Sequence, residues 1–127
     1  MKVKNKELWT KLDKEKKIKT ELNRLNKLFK EFPKEKKDVL AGLLNEASFI
    51  RVTLVELKED ILENGIMEVF RQGDSEYDRE RPVVKTYNTY MKTYHTTMKL
   101  ILEQLPKEVQ KEEESELMKF VKEGLER

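Results

Sequence analysis

Apolar residues recur along residues 34–63 at intervals of 3, 4, 3, 4, 3 and 4, the spacing that places side chains along one side of an α-helix. Such a narrow seam allows one helix to lie along another with interlocking side chains. Asn64-Gly65 predicts the end of this helix, because glycine accepts the left-handed conformation that closes a helix. The seam consists of Leu40, Leu43, Ala47, Ile50, Leu54, Leu57 and Ile61.

A second seam of the same period follows in residues 83–104, a helix of roughly 33 Å at 1.5 Å per residue. Two seams of similar length predict antiparallel pairing of the two helices. The tyrosines and methionines of the second seam are therefore interpreted as packing residues rather than as a ligand-binding or base-stacking surface. The second seam consists of Val84, Tyr87, Met91, Tyr94, Met98, Ile101 and Leu105.

Prolines divide the chain where periodic segments begin, since proline is tolerated in the first turn of a helix but not in its interior. Four helices are expected, at 6–31, 34–63, 83–104 and 107–124. The predicted fold class is all-α: long helices in an antiparallel hairpin or bundle, with no sheet. The predicted organisation is a basic N-terminal helix at 1–37, a helical core at 38–106 with a polar linker at 65–82, and an acidic C-terminal helix or tail at 107–127.

Two helices alone leave several apolar side chains beside the seams without cover. The first helix or another subunit must supply that cover. These flanking residues are Val39, Leu44, Val55, Leu62, Tyr90 and Leu102. A short apolar patch in the linker is predicted to anchor the linker to the bundle, and it comprises Ile66, Met67, Val69 and Phe70.

Composition supports long solvated helices, because 41% of the 127 residues are charged and only four are glycine and three proline. The absence of cysteine excludes disulfides, thiolate catalysis and cysteine-bound zinc, and fits a reducing compartment. No apolar run reaches the length of a membrane span, and the start MKVKNKELWTK lacks the apolar core of a signal peptide. We therefore expect a soluble cytosolic protein.

The positive charge is concentrated at the front of the chain: residues 1–38 carry 14 Lys or Arg against 7 Asp or Glu. On the first helix, the side opposite the apolar stripe carries no carboxylate, with Asp13 and Glu31 at its margins. This face and the start of the next helix form the lysine strip, a predicted DNA-backbone surface, against the alternative of a merely soluble helix face. The lysine strip comprises Lys16, Lys19, Asn23, Lys27, Lys30, Lys34, Lys36 and Lys37.

Catalytic and metal sites lack the necessary residues. The four glycines form neither of the usual phosphate-binding loops, and His95 has no second histidine or cysteine with which to share a metal or a proton. The alternating acids from Asp74 to Glu80 suggest an EF-hand loop, but Arg79 and Lys85 replace its required glycine and glutamate. We expect no enzyme activity, metal, cofactor or small-molecule substrate.

The stretch ERPVVKTYNTYMKTYHTTMKLILEQLP at 80–106, preceded by LLNEASFIRVTLVELKEDILENG at 43–65, resembles a family of phage terminase small subunits. In that family a phrase of the form [RN]P-V/A-x-x-[YF]-N opens a helix that closes with Leu-Pro. Here Arg81-Pro82, Val84, Tyr87-Asn88 and Leu105-Pro106 stand in those places, with Val83 as one extra residue after the proline. The resemblance covers residues 38–106, and its motif is a packing pattern rather than a catalytic signature.

This resemblance implies a non-enzymatic part of the DNA-packaging machine in the cytoplasm of a bacterial host. Such a subunit would bind double-stranded viral DNA, assemble into a ring-like homo-oligomer and deliver DNA to the large subunit with its ATPase and nuclease. Many relatives carry an N-terminal helix-turn-helix, whereas this chain shows one long basic helix. The alternative hypothesis is a helical protein-interaction module or adaptor that does not bind nucleic acid.

Overall fold

The computed structural model describes residues 9–125, apart from the side chains at 109, 124 and 125. The prediction of a mostly helical chain with four helices is confirmed within this range. The elements are α1 (Lys11–Leu28), α2 (Lys34–Asn64), β1 (Met67–Gln72), β2 (Ser75–Glu80), α3 (Pro82–Leu102) and α4 (Lys107–Leu125).

Helix α1 is shorter than the segment predicted at 6–31, of which residues 6–8 lie outside the described residues. It begins after Thr10, whose hydroxyl accepts a hydrogen bond from the backbone N–H of Asp13. It ends at Leu28, where the backbone N–H of Phe29 donates to the carbonyl of Asn26 at 3.1 Å. Bonds between residues three apart tighten the last turn, and the chain then bends toward α2.

The expectation of no sheet is wrong, because β1 and β2 form a two-stranded antiparallel sheet inside the predicted linker. The acids that suggested a cation loop instead alternate along a strand, so that Glu76, Asp78 and Glu80 share one face. Glu68 pairs with Arg79 at 2.7 Å, and the Arg79 guanidinium lies 3.7 Å from the ring centroid of Phe70. These cross-strand contacts explain why a polar segment forms strands.

The turn of the hairpin consists of Gly73 and Asp74, since Gln72 pairs with Ser75. Gly73 has φ +62°, and no non-glycine residue in the described range has a positive φ. A positive φ only at the first central position is the pattern of a type II′ turn, whose twist matches that of antiparallel strands. A glycine is therefore required at position 73.

Arg81 holds the base of the hairpin to the end of α2. Its guanidinium donates to the carbonyl of Gly65 at 2.7 Å and to the carboxylate of Asp60 at 2.9 Å. Asn64 donates to the same carboxylate at 2.6 Å. The hairpin therefore projects from the junction of α2 and α3 with its base fixed by charge-assisted hydrogen bonds.

The core lies between α2 and α3, which run antiparallel, because Arg51 meets Tyr94 while Asp60 meets Arg81 farther along. Helix α1 packs against α2, and α4 packs against α3. From the two predicted seams, Leu40, Ala47, Ile50, Leu54, Tyr94, Met98, Ile101 and Leu105 are buried. The remaining seam residues are partly buried: Leu43, Leu57, Ile61, Val84, Tyr87 and Met91.

The apolar residues beside the seams divide into covered and uncovered positions. Leu44 and Leu102 are buried, in a cluster that also contains Leu25 and Phe29 from α1 and its following turn. Val39 and Leu62, at opposite ends of α2, remain 81% and 52% exposed. Among the described helices, none combines the length and the apolar character that a membrane crossing requires.

Candidate nucleic-acid interface

The lysine strip follows the side of α1 that faces solvent and continues onto the first turn of α2. All eight of its side chains are exposed. On α1 the strip runs from Lys16 to Lys27, about 16 Å at 1.5 Å per residue, and Lys30 extends it into the turn before α2. The opposite side of α1 carries Leu25, which is fully buried against the core. The amphipathic pattern of α1 thus directs the strip away from the protein.

No ion pair neutralises the lysine strip within the described part of the chain. The ion pairs within 4.0 Å involve other residues, such as Lys14 with Glu56 at 3.0 Å. Lys17, also outside the strip, lies 4.9 Å from the ring centroid of Trp9. Among the described residues, the strip's lysines therefore have no carboxylate within 4.0 Å to offset their repulsion, although Glu31 and Glu35 lie between them in sequence.

The first turn of α2 adds a second source of positive potential. Pro33 precedes this helix and makes no side-chain capping hydrogen bond. Helix N-termini carry a partial positive charge, so lysines are electrostatically unfavourable there. Nevertheless Lys34, Lys36 and Lys37 occupy the first turn with a single acid, Glu35, and Lys36 also lies 5.9 Å from the ring centroid of Phe32. A bound phosphate would relieve this concentration of like charge.

The tyrosines and methionines of α3 do not extend this surface. Tyr94 is fully buried and Met98 is 2% exposed, so neither ring nor thioether is available to stack on a base. His95 is exposed and lines a cavity of about 440 Å³ between α3 and α4, with Lys99 and Glu114 nearby. Within the described residues, no three His, Asp or Glu side chains are grouped to hold a metal ion.

A second polar cluster, the Arg51 network, connects all four helices behind the lysine strip. Glu21 of α1 is 9% exposed and accepts two hydrogen bonds of 2.9 Å from Arg24. Arg51 of α2 lies 3.8 Å from the same carboxylate and donates to the Tyr94 hydroxyl at 3.3 Å. The network therefore fixes α1, α2 and α3 through one buried carboxylate and one arginine.

Helix α4 joins the Arg51 network through its acidic face and one aromatic ring. Glu113 accepts a hydrogen bond from Arg24 at 3.3 Å, and Glu116 lies 3.7 Å from Arg51. The Arg51 guanidinium also lies 4.4 Å from the ring centroid of Phe120. Part of the acidic charge of α4 is thus engaged with arginines instead of forming a wholly solvated face.

Two groups of the network, Arg24 and Tyr94, have pKa values above their usual ones. Hydrogen bonding to Glu21 raises the pKa of Arg24 further above its usual value, although burial opposes this shift. Burial raises the pKa of the Tyr94 phenol, and the nearby Arg51 guanidinium partly offsets that increase. Arg24 therefore stays cationic and Tyr94 stays protonated at neutral pH.

Neither family models nor curated proteins nor solved structures give a match to this chain. The function is therefore argued from the residues and the geometry described above, together with the resemblance noted in the sequence.

Sequence reasoning missed the Arg51 network. One signal was present: Glu21 lies on the margin of the apolar stripe of α1, three residues before Arg24, a spacing that favours a helix ion pair. The partners of this pair on α2 and α4 are 27 or more residues away from it in sequence. No local pattern identifies such partners, because their contact depends on how the helices pack.

Proposed function

We propose that this chain is a phage terminase small subunit that binds double-stranded DNA through the lysine strip. It would act in the cytoplasm of a bacterial host, as a homo-oligomeric ring that delivers viral DNA to the large ATPase and nuclease subunit. The observation that carries the DNA-binding part is the exposed, unneutralised strip on α1 and the first turn of α2. The packaging role rests on the resemblance of residues 38–106 to that family.

The chemistry of the strip favours the DNA backbone as its target. Lysine ammonium groups act as point charges toward phosphates, and release of counterions from DNA makes such binding strongly salt-dependent. Bidentate arginine contacts, the commonest base-specific ones, are absent from the strip. Arg24, the nearest arginine, is engaged by Glu21 and Glu113. Binding through the strip is therefore expected to depend little on DNA sequence.

A gel shift with duplex DNA at low salt tests the assignment of the strip. The wild-type chain is expected to shift the duplex, and a variant with Lys16, Lys19, Lys27 and Lys30 changed to glutamate is expected to lose the shift. Each of these side chains is exposed, so the substitutions remove no core contact. Equal binding by the two proteins would contradict the assignment.

One observation favours the alternative, a protein-interaction module. The hairpin exposes several large apolar side chains, including Met67 and Val69 at 51% and 61%. Exposed apolar groups grouped on one element are typical of a surface that meets another protein. No duplex binding at low salt, together with stoichiometric binding to a protein partner, would favour this module over the terminase subunit.

A further inference from the structure

One face of the hairpin carries an apolar pair beside two carboxylates. Met67 and Val69 point to the same side of β1, and their cross-strand partners are Glu80 and Asp78. Neither carboxylate takes part in an ion pair within the described residues. A two-stranded hairpin is only marginally stable in water by itself, so cover on this face would stabilise it. Arg71 and Glu76 continue this side of the hairpin toward the turn and pair with each other at 2.7 Å. We refer to Met67, Val69, Asp78 and Glu80 as the hairpin face.

A groove of about 340 Å³ lies at the other end of α2. Its apolar wall is formed by Phe32, Val39, Leu40 and Leu43, and its polar lining by Glu35, Lys36 and Gln104. Val39 is 81% exposed, the highest value among the large apolar side chains of the described chain. We refer to this site as the Val39 groove. Helix α2 continues for 25 residues from Val39 to its end at Asn64, so about 38 Å of helix separates Val39 from the base of the hairpin.

The two ends of α2 carry opposite charge. Residues 27–37, around the turn from α1 to α2, contain five lysines and two glutamates, a net charge of +3. Residues 67–80 of the hairpin contain five acids and two arginines, a net charge of −3. Each end also exposes apolar side chains. The basic end of one copy therefore complements the acidic hairpin of another copy in charge, and both ends expose apolar side chains that could be buried together.

We propose that the hairpin face of one copy docks into the Val39 groove of a second copy. This contact is head-to-tail, because the two surfaces differ and lie at opposite ends of α2. After one such contact the pair still has one free hairpin face and one free Val39 groove, so addition continues until the assembly closes on itself. The inference rests on the homo-oligomer in the proposed function, and it specifies which two surfaces join neighbouring copies.

Two single variants each block one of the surfaces. Val69→Arg places a cation on the hairpin face, opposite Asp78, where it faces the lysines of a neighbour and can still form a cross-strand pair. Val39→Glu places a carboxylate in the apolar wall of the groove, where it would repel the acids of a neighbour's hairpin face. Both positions are exposed, so neither variant disturbs the core. Met118→Arg and Met118→Glu are the matched controls on α4, at a side chain that is 58% exposed.

Light scattering at tens of micromolar protein measures the outcome. Wild type and both Met118 variants are expected to assemble beyond a monomer, whereas each blocked variant alone stays at 15.2 kDa. An equimolar mixture of the two blocked variants is expected to form a complex of about 30 kDa, twice 15.2 kDa, and nothing larger. Each partner then supplies one intact surface, and only one productive contact is available.

Three results would overturn the inference: a monomeric wild type, no complex in the mixture, or loss of assembly in the Met118 controls. Failure of the DNA assignment is separable from these results, because neither blocked variant changes a residue of the lysine strip. An incorrect DNA assignment would appear as unchanged DNA binding by the strip variant, regardless of the mass that light scattering gives for the mixture of blocked variants. Conversely, a strip variant that loses DNA while the mixture stays monomeric would contradict only the head-to-tail contact.

Discussion

Neutralising four lysines of the strip gives a quantitative test of how this protein would bind DNA. We consider a variant with Lys16, Lys19, Lys27 and Lys30 changed to glutamine, which removes four positive charges without adding negative ones. All four side chains are exposed, so the fold is expected to persist. The variant is therefore expected to change the number of phosphate contacts that the proposed DNA binding would make, and little else.

The expected magnitude follows from counterion release. Each phosphate contact contributes about −0.9 to the slope of log K against log salt concentration, so four lost contacts make the slope less negative by about 3.6. At about 0.1 M salt each contact is then worth close to eightfold in affinity, and four contacts are worth up to about 4,000-fold. A fluorescence-anisotropy titration with duplex DNA at several salt concentrations measures both quantities.

A matched control separates location from net charge. Changing Lys85, Lys92, Lys107 and Lys119 to glutamine also removes four exposed positive charges, from α3 and α4. The control is expected to keep the wild-type slope, since these residues lie outside the strip. Equal losses of slope in both variants would refute the reasoning, because binding would then follow overall charge rather than a defined surface.

Three further predictions concern stability and dynamics. Glu21→Ala removes the carboxylate that pairs with Arg24, so we expect urea denaturation to show an unfolding free energy lower by about 1.5–3 kcal/mol. The exposed Glu15→Ala should lower it by less than about 0.5 kcal/mol. Equal losses in the two variants would show that the network does not stabilise the fold. Arg81→Ala removes two hydrogen bonds at the hairpin base and should speed hydrogen exchange of the hairpin amides about tenfold or more, whereas Arg71→Ala, at an 80% exposed side chain, should not. Burial raises the pKa of Tyr94 above its usual value of 10.0, so the folded state holds the phenol proton more tightly than the unfolded state. The stability that this difference contributes is present below about pH 10 and is lost as pH rises through the folded pKa. The unfolding free energy should therefore fall less steeply from about pH 9 to 11 in Tyr94→Phe than in wild type, and parallel curves would contradict the burial argument.

Local periodicity was sufficient to place the long helices. Helix α2 was expected at 34–63 and runs from Lys34 to Asn64, because its seam and its closing glycine are both local features. The exposure of the lysine strip follows from the same periodicity, since the positions opposite an apolar stripe face solvent.

The hairpin was not predicted, although two signals for it were present. Gly73-Asp74 is a two-residue turn pair, and the residues from Ser75 to Glu80 alternate in charge and size. The high polarity of the segment favoured a linker, because strands are usually recognised by an apolar face. Here an arginine, an aromatic ring and a carboxylate supply the cross-strand contacts instead.

The Arg51 network has a consequence for how the helices align along their axes. An apolar seam that repeats every seven residues permits one helix to slide by about 10 Å along another at little cost in packing. Such a slide of α1 would replace Glu21 beside Arg51 by Lys14 or Leu28, the residues seven positions away. The first would repel the guanidinium and the second would leave it without a buried counterion. The network thus favours one axial register of α1 along α2 and disfavours the registers seven residues to either side.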